Sequence, residues 1–275
     1  MSNRSRLLTS TEAAEVLGAS TTSVKRWADE GLLPCVRTAG RHRRFTLEDL
    51  ERFARDRMGS GGGGADGDLD LGEWVRDLTE NRPYRVQARI YEARSDLGSW
   101  RAVCNRIGRV IEEIGAAWAD GRISVAQEHV ASEQLARALA RVTDTVPLPP
   151  HAPAALLATL EGEDHTLGLS LVELALRELG WASVWLGRRT PIAELGPALE
   201  QHDVEMLAVS ASLHAADAGL LTEQARRLEA LCRPREVALL LGGRGAWPDP
   251  PPYGRVVRDF RDLARAVPAR ERLRP

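Results

Sequence analysis

Short apolar runs alternate with helical patterns along the C-terminal part of the chain. The apolar runs are of strand length and cover residues 154–160, 182–186, 204–209 and 237–241. The helical patterns cover residues 169–179, 192–200, 215–231 and 259–266, and residues 256–257 are a candidate fifth strand. Strands that alternate with helices predict a parallel sheet with helices on both faces. We therefore predict an α/β domain with a flavodoxin-like, doubly wound and thus Rossmann-like parallel sheet.

Small or polar residues follow all four predicted strands, and after the second strand they are residues 187–191. The candidate site residues follow the other three strands. They are Glu163, Asp164, His165 and Gly168 after the first strand, Ser210 and Ser212 after the third, and Gly242 and Gly243 after the fourth. Ligands of open parallel sheets bind at the carboxyl ends of the strands, so we expect these residues to meet at one edge. Taken alone, a single histidine in such a loop is more often a hydrogen-bonded surface residue than a metal ligand.

The spacing of these residues resembles the signature of cobalamin-binding domains that hold their cofactor through a histidine. The acidic residue, histidine and glycine of that signature correspond to Glu163, His165 and Gly168. Ser212 departs from it, since the middle motif of the family ends in leucine. The resemblance implies that His165 is the lower axial ligand of cobalt, that Glu163 orients it, and that Ser210, Gly242 and Gly243 line the passage of the nucleotide tail. Asp164, Gly168 and Ser212 are further candidate cofactor-binding residues. Neutral imidazole suits a transition metal, and a nearby carboxylate fixes its tautomer.

The N-terminal part of the chain carries the pattern of two short helices separated by a tight turn. Thr9 or Ser10 is placed to cap a helix over residues 11–17, and Ser20 or Thr21 is placed to cap the next one. Polar and basic residues project from the early turns of the second helix, where major-groove readers place their contacts. They are Thr22, Ser23, Lys25 and Arg26.

A basic extended segment with Gly40 at its tip follows the second helix. Its polar residues after the tip are Arg41, His42, Arg43 and Arg44. The order of helix, turn, helix and basic hairpin resembles the winged helix-turn-helix of MerR-type regulators, which implies a double-stranded DNA operator as partner. The alternative for the arginines is a solvated charged turn. Residues 1–58 contain eleven basic and eight acidic residues, a net charge of +3, so that tight DNA binding is expected to need several copies.

A glycine-rich stretch at residues 59–67 has the composition of a flexible linker. Helical periodicity then covers residues 69–78, 84–94, 100–118 and 123–142. Apolar residues at spacings near 3.6 in the third of these predict a small four-helix bundle. We therefore divide the chain into four parts. They are a DNA-binding domain at residues 1–58, the linker at 59–67, a helical bundle at 68–146 and a cofactor domain at 147–275.

Trp118, Val125 and the pair Glu128 and His129 have a spacing that resembles the bundle of the CarH/LitR-type cobalamin-dependent photoreceptor repressors. In that family a tryptophan and a Glu-His pair cover the upper face of adenosylcobalamin. Taken alone, Trp118 could instead be a residue of the bundle core, and Glu128 and His129 could be a solvated pair on the helix surface. The resemblance implies a light-responsive repressor rather than an enzyme, with a homotetramer in the dark and DNA binding that depends on adenosylcobalamin.

Ala119 departs from the light-responsive members of this family, which carry a histidine after the tryptophan. Once light has cleaved the cobalt–carbon bond, either solvent or His129 would take the upper position. We expect solvent, because His129 is expected to stay paired with Glu128. The departures at Ala119 and Ser212 keep a second function open, a regulator whose domain binds another tetrapyrrole or a protein partner and has no cobalamin light switch. Methylcobalamin is an alternative cofactor for the first function. A corrinoid carrier for a methyltransferase is a third function, which the DNA-binding pattern disfavours.

The sequence contains no apolar run near the length of a membrane span, and its N-terminus lacks the apolar stretch of a signal peptide. We therefore expect a cytoplasmic protein without a membrane partner. Cys35, Cys104 and Cys232 are widely separated and lack metal-binding spacing, so we expect free thiols that are buried or partly buried.

Overall fold

A computed structural model describes residues 7–17, 21–29, 31, 33–38, 40, 42–46, 49–50, 53, 71–213 and 217–267. The predicted linker at residues 59–67 lies outside the described residues. The chain divides into two compact units, and we describe each by itself. One contains the residues up to Trp74 and Ala88–Ser99, and the other contains Val75–Gln87 and the residues from Trp100 onward.

The described residues of the N-terminal region form two short helices and a hairpin, and residues 49, 50 and 53 are helical as well. Helix α1 spans Ser10–Leu17, α2 spans Thr21–Asp29, and strands β1 (Val36–Arg37) and β2 (Arg43–Arg44) pair antiparallel. Thr9 is the residue that caps α1, because its hydroxyl accepts from the Glu12 N–H and its own N–H donates to the Glu12 carboxylate. The small core of this region comprises Ala13, Ala14, Val24, Leu33, Phe45 and Leu50.

All four helices predicted for the bundle are present, with bounds within three residues of the prediction. They are α3 (Leu71–Thr79), α4 (Pro83–Leu97), α5 (Trp100–Ala119) and α6 (Val125–Thr145). Helix α6 begins two residues later than predicted because Ser124 caps it. The Ser124 hydroxyl accepts from the Gln127 N–H, and the Gln127 side chain accepts from the Ser124 N–H.

Five parallel strands form the sheet of the C-terminal domain. They are β3 (Ala154–Leu160), β4 (Ala182–Thr190), β5 (Met206–Ala211), β6 (Ala238–Gly243) and β7 (Arg255–Val257), in the order β4-β3-β5-β6-β7. The helices between and after them are α7 (Leu167–Glu178), α8 (Ile192–Gln201), α9 (Ala218–Cys232) and α10 (Phe260–Ala266). This is the flavodoxin-like strand order, in which ligands bind at the switch point between β3 and β5. The predicted fold class, with helix-turn-helix region, helical bundle and Rossmann-like sheet, is confirmed.

The ends of two strands differ from the prediction in a way that matters for the site. Ser210, Gly242 and Gly243 belong to strands rather than to the loops that follow them. The parallel register explains this, since Ser210 pairs with Gly242 and Ala211 pairs with Gly243, so the ladder continues through residues of low strand propensity. The motif residues of these strands are therefore held by the sheet itself.

Helix α5 is attached to the sheet domain along one of its faces. The Glu178 carboxylate accepts from the backbone N–H groups of Trp100 and Arg101 and from the Arg101 guanidinium. One helical turn further, Asn105 donates to the Asp259 carboxylate at 2.7 Å. Near the far end, Glu112 forms an ion pair with Arg244, which follows β6. These contacts fix the α5–α6 hairpin against the elements that surround the candidate site.

The three cysteines are free thiols, as predicted. Cys104 and Cys232 are buried, and Cys35 is partly buried. Burial raises the pKa of both Cys104 and Cys232, the latter to about 12. These two thiols therefore act as small apolar core residues.

Candidate functional site

The Glu163 carboxylate is the centre of the loop that follows β3. Only 7% of the residue is exposed. One of its oxygens, Oε1, lies 2.6 Å from His165 Nδ1 and accepts from the His165 N–H at 2.9 Å. The other, Oε2, accepts from the Ser212 N–H at 2.6 Å. One carboxylate thus joins the loop after β3 to the end of β5.

The charge of Glu163 determines the tautomer of His165. Burial would raise the pKa of the Glu163 carboxyl, but the hydrogen bonds from Ser212 and His165 outweigh burial and hold the pKa below its ordinary value. An ionised carboxylate only accepts hydrogen bonds, so Nδ1 of His165 carries the proton. The ring lone pair then lies on Nε2, the nitrogen that can ligate a metal, and 57% of the His165 side chain is exposed.

Two residues that the sequence analysis did not identify hold this loop in place. The Thr159 hydroxyl is fully buried and donates to the Glu163 carbonyl oxygen at 2.7 Å. The backbone N–H of Arg189 donates to the same carbonyl, and its guanidinium makes two hydrogen bonds to Asp164. The hydrogen bonds from Arg189 lower the pKa of Asp164. Asp164 therefore helps to hold the loop in place through its hydrogen bonds with Arg189. The role of Thr159 could have been suspected from the sequence, because a threonine interrupts the apolar run of β3.

Three small residues meet where β5, β6 and α7 converge. A Cβ atom added to Gly168 would lie 2.7 Å from the Ser210 hydroxyl, and one added to Gly243 would lie 2.1 Å from the Ala211 carbonyl oxygen. Gly243 also has a φ of +80°, which favours glycine. The structure therefore brings Gly168, Ser210 and Gly243 together in a space that admits no further side-chain atom. Gly242 pairs with Ser210, next to the pair of Ala211 and Gly243. A Cβ atom added to Gly242 would make only ordinary van der Waals contacts, at 3.8 Å or more.

A cavity of about 230 Å³ opens beside the loop of Glu163 and His165. Its lining includes Ser210 from β5, Gln224 from α9 and Trp247 from the segment after β6. The Trp247 indole is buried, and its N–H donates to the Gly242 carbonyl oxygen at 2.9 Å. Trp247 therefore anchors the proline-rich segment at residues 248–252, to which the sequence assigned no role.

The residues predicted to cover the cofactor lie at the junction of α5 and α6. Trp118 is 44% exposed, so it is not the bundle-core residue of the alternative prediction, and Val125 is exposed as well. The Glu128 carboxylate accepts from the Ser132 hydroxyl at 2.6 Å and lies 2.7 Å from His129 Nδ1. Ser132 therefore helps to orient Glu128, a role that the sequence analysis did not identify.

The residues predicted to contact DNA lie on α2 and on the β1–β2 hairpin. Thr22, Lys25 and His42 are exposed, and the Arg44 guanidinium donates to the Arg43 carbonyl oxygen. The Arg43 guanidinium instead contacts the Asp29 carboxylate. Arg41 lies outside the described residues, as do the side chains of Ser23 and Arg26.

Comparison with protein families finds two matches in the chain. A helix-turn-helix domain matches residues 7–58, and a B12 binding domain matches residues 74–143. Within the ranges that the structure describes, no helix is long and apolar enough to cross a membrane.

Two curated relatives come from Myxococcus xanthus. The HTH-type transcriptional repressor CarH is 31% identical over 115 residues, which is 42% of this chain and 38% of the repressor. The HTH-type transcriptional repressor CarA is 37% identical over 89 residues, which is 32% of this chain and 31% of the repressor. The chain thus matches well under half the length of either repressor. The predicted resemblance to CarH-type regulators is confirmed.

A solved structure supports the fold alone. The monomethylamine corrinoid protein from Methanosarcina barkeri superposes with a TM-score of 0.54 at 16% identity, over 70% of this chain and 94% of that protein. An α/β domain next to a helical region is therefore an arrangement that this chain shares with a known fold.

Proposed function

We propose that this chain is a cobalamin-binding transcriptional regulator whose cofactor domain controls a DNA-binding head. The observation that carries the proposal is the Glu163–His165 pair, in which a buried carboxylate holds the proton on Nδ1 and so places the lone pair of the histidine on Nε2. The matches to a helix-turn-helix domain and a B12 binding domain, and the similarity to two repressors, support it. The role is regulatory rather than catalytic.

The residues around His165 fit a corrinoid. His165 would ligate cobalt through Nε2, and Ser210, Gly242 and Gly243 would line the passage of the nucleotide tail, with Gly168 and Ser212 beside them. Trp118, Val125, Glu128 and His129 would cover the upper face. The departure at Ser212 does not weaken this fit, because Ser212 donates to Glu163 with both its backbone N–H and its side chain. Asp164 would hold the loop closed through Arg189.

We propose adenosylcobalamin as the cofactor and light-responsive repression as the output. When bound, that cofactor supplies a cobalt–carbon bond that visible light breaks. The chain would contribute His165 as the ligand, the residues of the α5–α6 hairpin that cover the cofactor, and the contacts that attach this hairpin to the sheet domain. The DNA operator and further copies of the chain are the proposed partners.

The first test is direct titration of the purified chain with adenosylcobalamin in the dark, followed by absorbance. We expect stoichiometric uptake and the spectrum of a cobalamin whose own base has been displaced by a histidine. Methylcobalamin and a porphyrin serve as comparison ligands. Preferential uptake of the porphyrin, or no uptake of any of the three, would contradict the proposal.

Ala119 gives rise to a second prediction, about the light response. Alanine offers no ligating atom beside Trp118, so we expect a single-histidine spectrum after green light and incomplete dissociation of the oligomer. The variant Ala119→His places an imidazole there and is expected to increase the dissociated fraction, as measured by size-exclusion chromatography before and after illumination. A stable two-histidine spectrum in the unmodified chain that survives His129→Ala would show that this explanation of the upper ligand is wrong.

A further inference from the structure

Two arginines face each other across the β1–β2 hairpin, in the pair that lies next to its loop. Arg37 and Arg43 are direct cross-strand partners in the antiparallel register. Like charges in such positions destabilise a strand pair. The hairpin therefore requires a counter-charge at this place, and neither strand supplies one.

Asp29 supplies that counter-charge from the last residue of α2. Its carboxylate accepts from the Arg43 guanidinium at 2.5 and 2.7 Å, and from the Arg37 guanidinium at 3.0 Å. Only 21% of the Arg43 side chain is exposed. The hydrogen bond from Arg43 is the main reason that the pKa of Asp29 lies below its ordinary value. One carboxylate thus connects the helix to both strands.

The position of Asp29 in its helix shows that it does not serve the helix itself. The C-terminal end of a helix carries a partial negative charge, so an acidic residue there is unfavourable for the helix alone. Its favourable interactions are those with the two arginines. The carboxylate therefore holds the hairpin in one orientation relative to α2.

We infer that Asp29 determines how selectively the head binds DNA, an inference that rests on the proposed DNA-binding function. Asp29 keeps Arg37 and Arg43 directed toward α2 and away from free contact with phosphates. It also fixes the hairpin at one distance from the helix whose outward residues would enter the major groove. Both effects reduce sequence-independent binding and favour a DNA site that fits helix and hairpin together.

The physical basis lies in the way DNA attracts cations. Each phosphate that a protein neutralises adds about 0.9 to the slope of log affinity against log salt concentration, whatever the DNA sequence. Two arginines that share a carboxylate contribute less to this salt-dependent part of the DNA affinity than two arginines released from the carboxylate. Removal of the carboxylate should therefore strengthen binding to any DNA while it loosens the arrangement that a particular site requires.

The test compares Asp29→Asn with the unmodified full-length chain loaded with adenosylcobalamin in the dark. One duplex is enriched by the unmodified chain from random DNA, and the other is its shuffled counterpart. We expect the shuffled duplex to bind the variant more tightly, with a salt slope steeper by about 1. The ratio of the two affinities should fall about tenfold, the effect of one lost charge-assisted contact. The conservative variant Asp29→Glu should restore most of the ratio.

A matched control removes the same charge elsewhere in the head. In Glu12→Gln the capping box of α1 is retained, because glutamine serves at that position as well as glutamate does. This control is expected to shift both affinities equally and to leave their ratio unchanged. If Asp29→Asn behaves in the same way as Glu12→Gln, the inference is wrong.

A second measurement decides the matter if Asp29→Asn prevents the head from folding. In the unmodified background, Arg37→Gln should leave the salt slope for shuffled DNA nearly unchanged, because Asp29 already engages that guanidinium. Where Asp29→Asn does fold, the same change in that background should reduce the slope by about 1. A reduction of about 1 in the unmodified background would overturn the inference.

Discussion

The His165→Ala variant should lose at least about a hundredfold in affinity for adenosylcobalamin. Removal of a residue that only orients a metal ligand costs roughly 10–100-fold in affinity, and removal of the ligand itself should cost no less. The variant would keep the buried Glu163 carboxylate and the Ser212 contact, but no imidazole would face the metal. Titration in the dark, followed by absorbance and equilibrium dialysis, measures the loss.

Two further variants separate the ligand from its surroundings. Glu163→Gln should weaken binding by about tenfold, because the neutral amide no longer forces the proton onto Nδ1 of His165. His202→Ala is the matched control, since His202 is an exposed histidine of the same domain at the end of α8 and outside the site. It should bind as the parent chain does. Added imidazole should restore part of the parent spectrum in His165→Ala. Unchanged affinity and an unchanged spectrum in His165→Ala would refute the ligand assignment.

The second large effect concerns assembly and DNA affinity. The chain loaded with adenosylcobalamin should form a homotetramer in the dark, and the cofactor-free chain should be smaller. A head with a net charge of +3 binds DNA weakly, whereas tethered heads gain roughly 10²–10⁴ in overall affinity. We therefore expect the cofactor to raise affinity for the enriched duplex by about a hundredfold or more. Light scattering after size-exclusion chromatography and electrophoretic mobility shifts measure the two quantities.

The His165→Ala chain is the matched control for this experiment. It should stay in the smaller form and bind the duplex as the cofactor-free chain does, even when adenosylcobalamin is added. A cofactor-free monomer that binds the enriched duplex as tightly as the loaded chain would exclude assembly as the basis of DNA affinity.

Local sequence patterns were sufficient for most of the fold. Strand β3 begins and ends at the predicted residues, Ala154 and Leu160, because an apolar run of this length with proline and glycine on either side fits a buried strand better than a helix. Helix α8 likewise begins where predicted, at Ile192. The prediction failed at the ends of β5 and β6, where serine and glycine suggest a loop. There the pairing of Ser210 with Gly242 across the sheet outweighs local propensity.

The parallel topology predicted that Gly168, Ser210 and Gly243 meet at one sheet edge, but individual contacts of the candidate site were predictable only between residues close in sequence. The spacing of Glu163 and His165 is readable in the chain, and the structure adds the contact between them. The Ser212 N–H that completes the environment of Glu163 comes from a residue 49 positions away. Contacts of this kind depend on the completed fold, and so does the Asp29 carboxylate between two arginines. No local pattern of charge or hydrophobicity encodes them.

The attachment of α5 to the sheet domain has a mechanical consequence. Its base is held by the partly buried contacts of Glu178 and Asp259, whereas the Glu112–Arg244 pair further along is exposed and worth at most about 1 kcal/mol. The apolar face of the helix is nevertheless buried along its length, at Ile107, Val110, Ile114 and Ala117, so that packing as well as polar contacts holds it. From Asn105 to Ala119 it extends about 21 Å, so a tilt of about 5° at its base would displace Ala119 by roughly 2 Å. Such a tilt would disturb the packing beside Trp118 while the contacts of Glu178 and Asp259 stay intact, because the displacement grows with distance from the base.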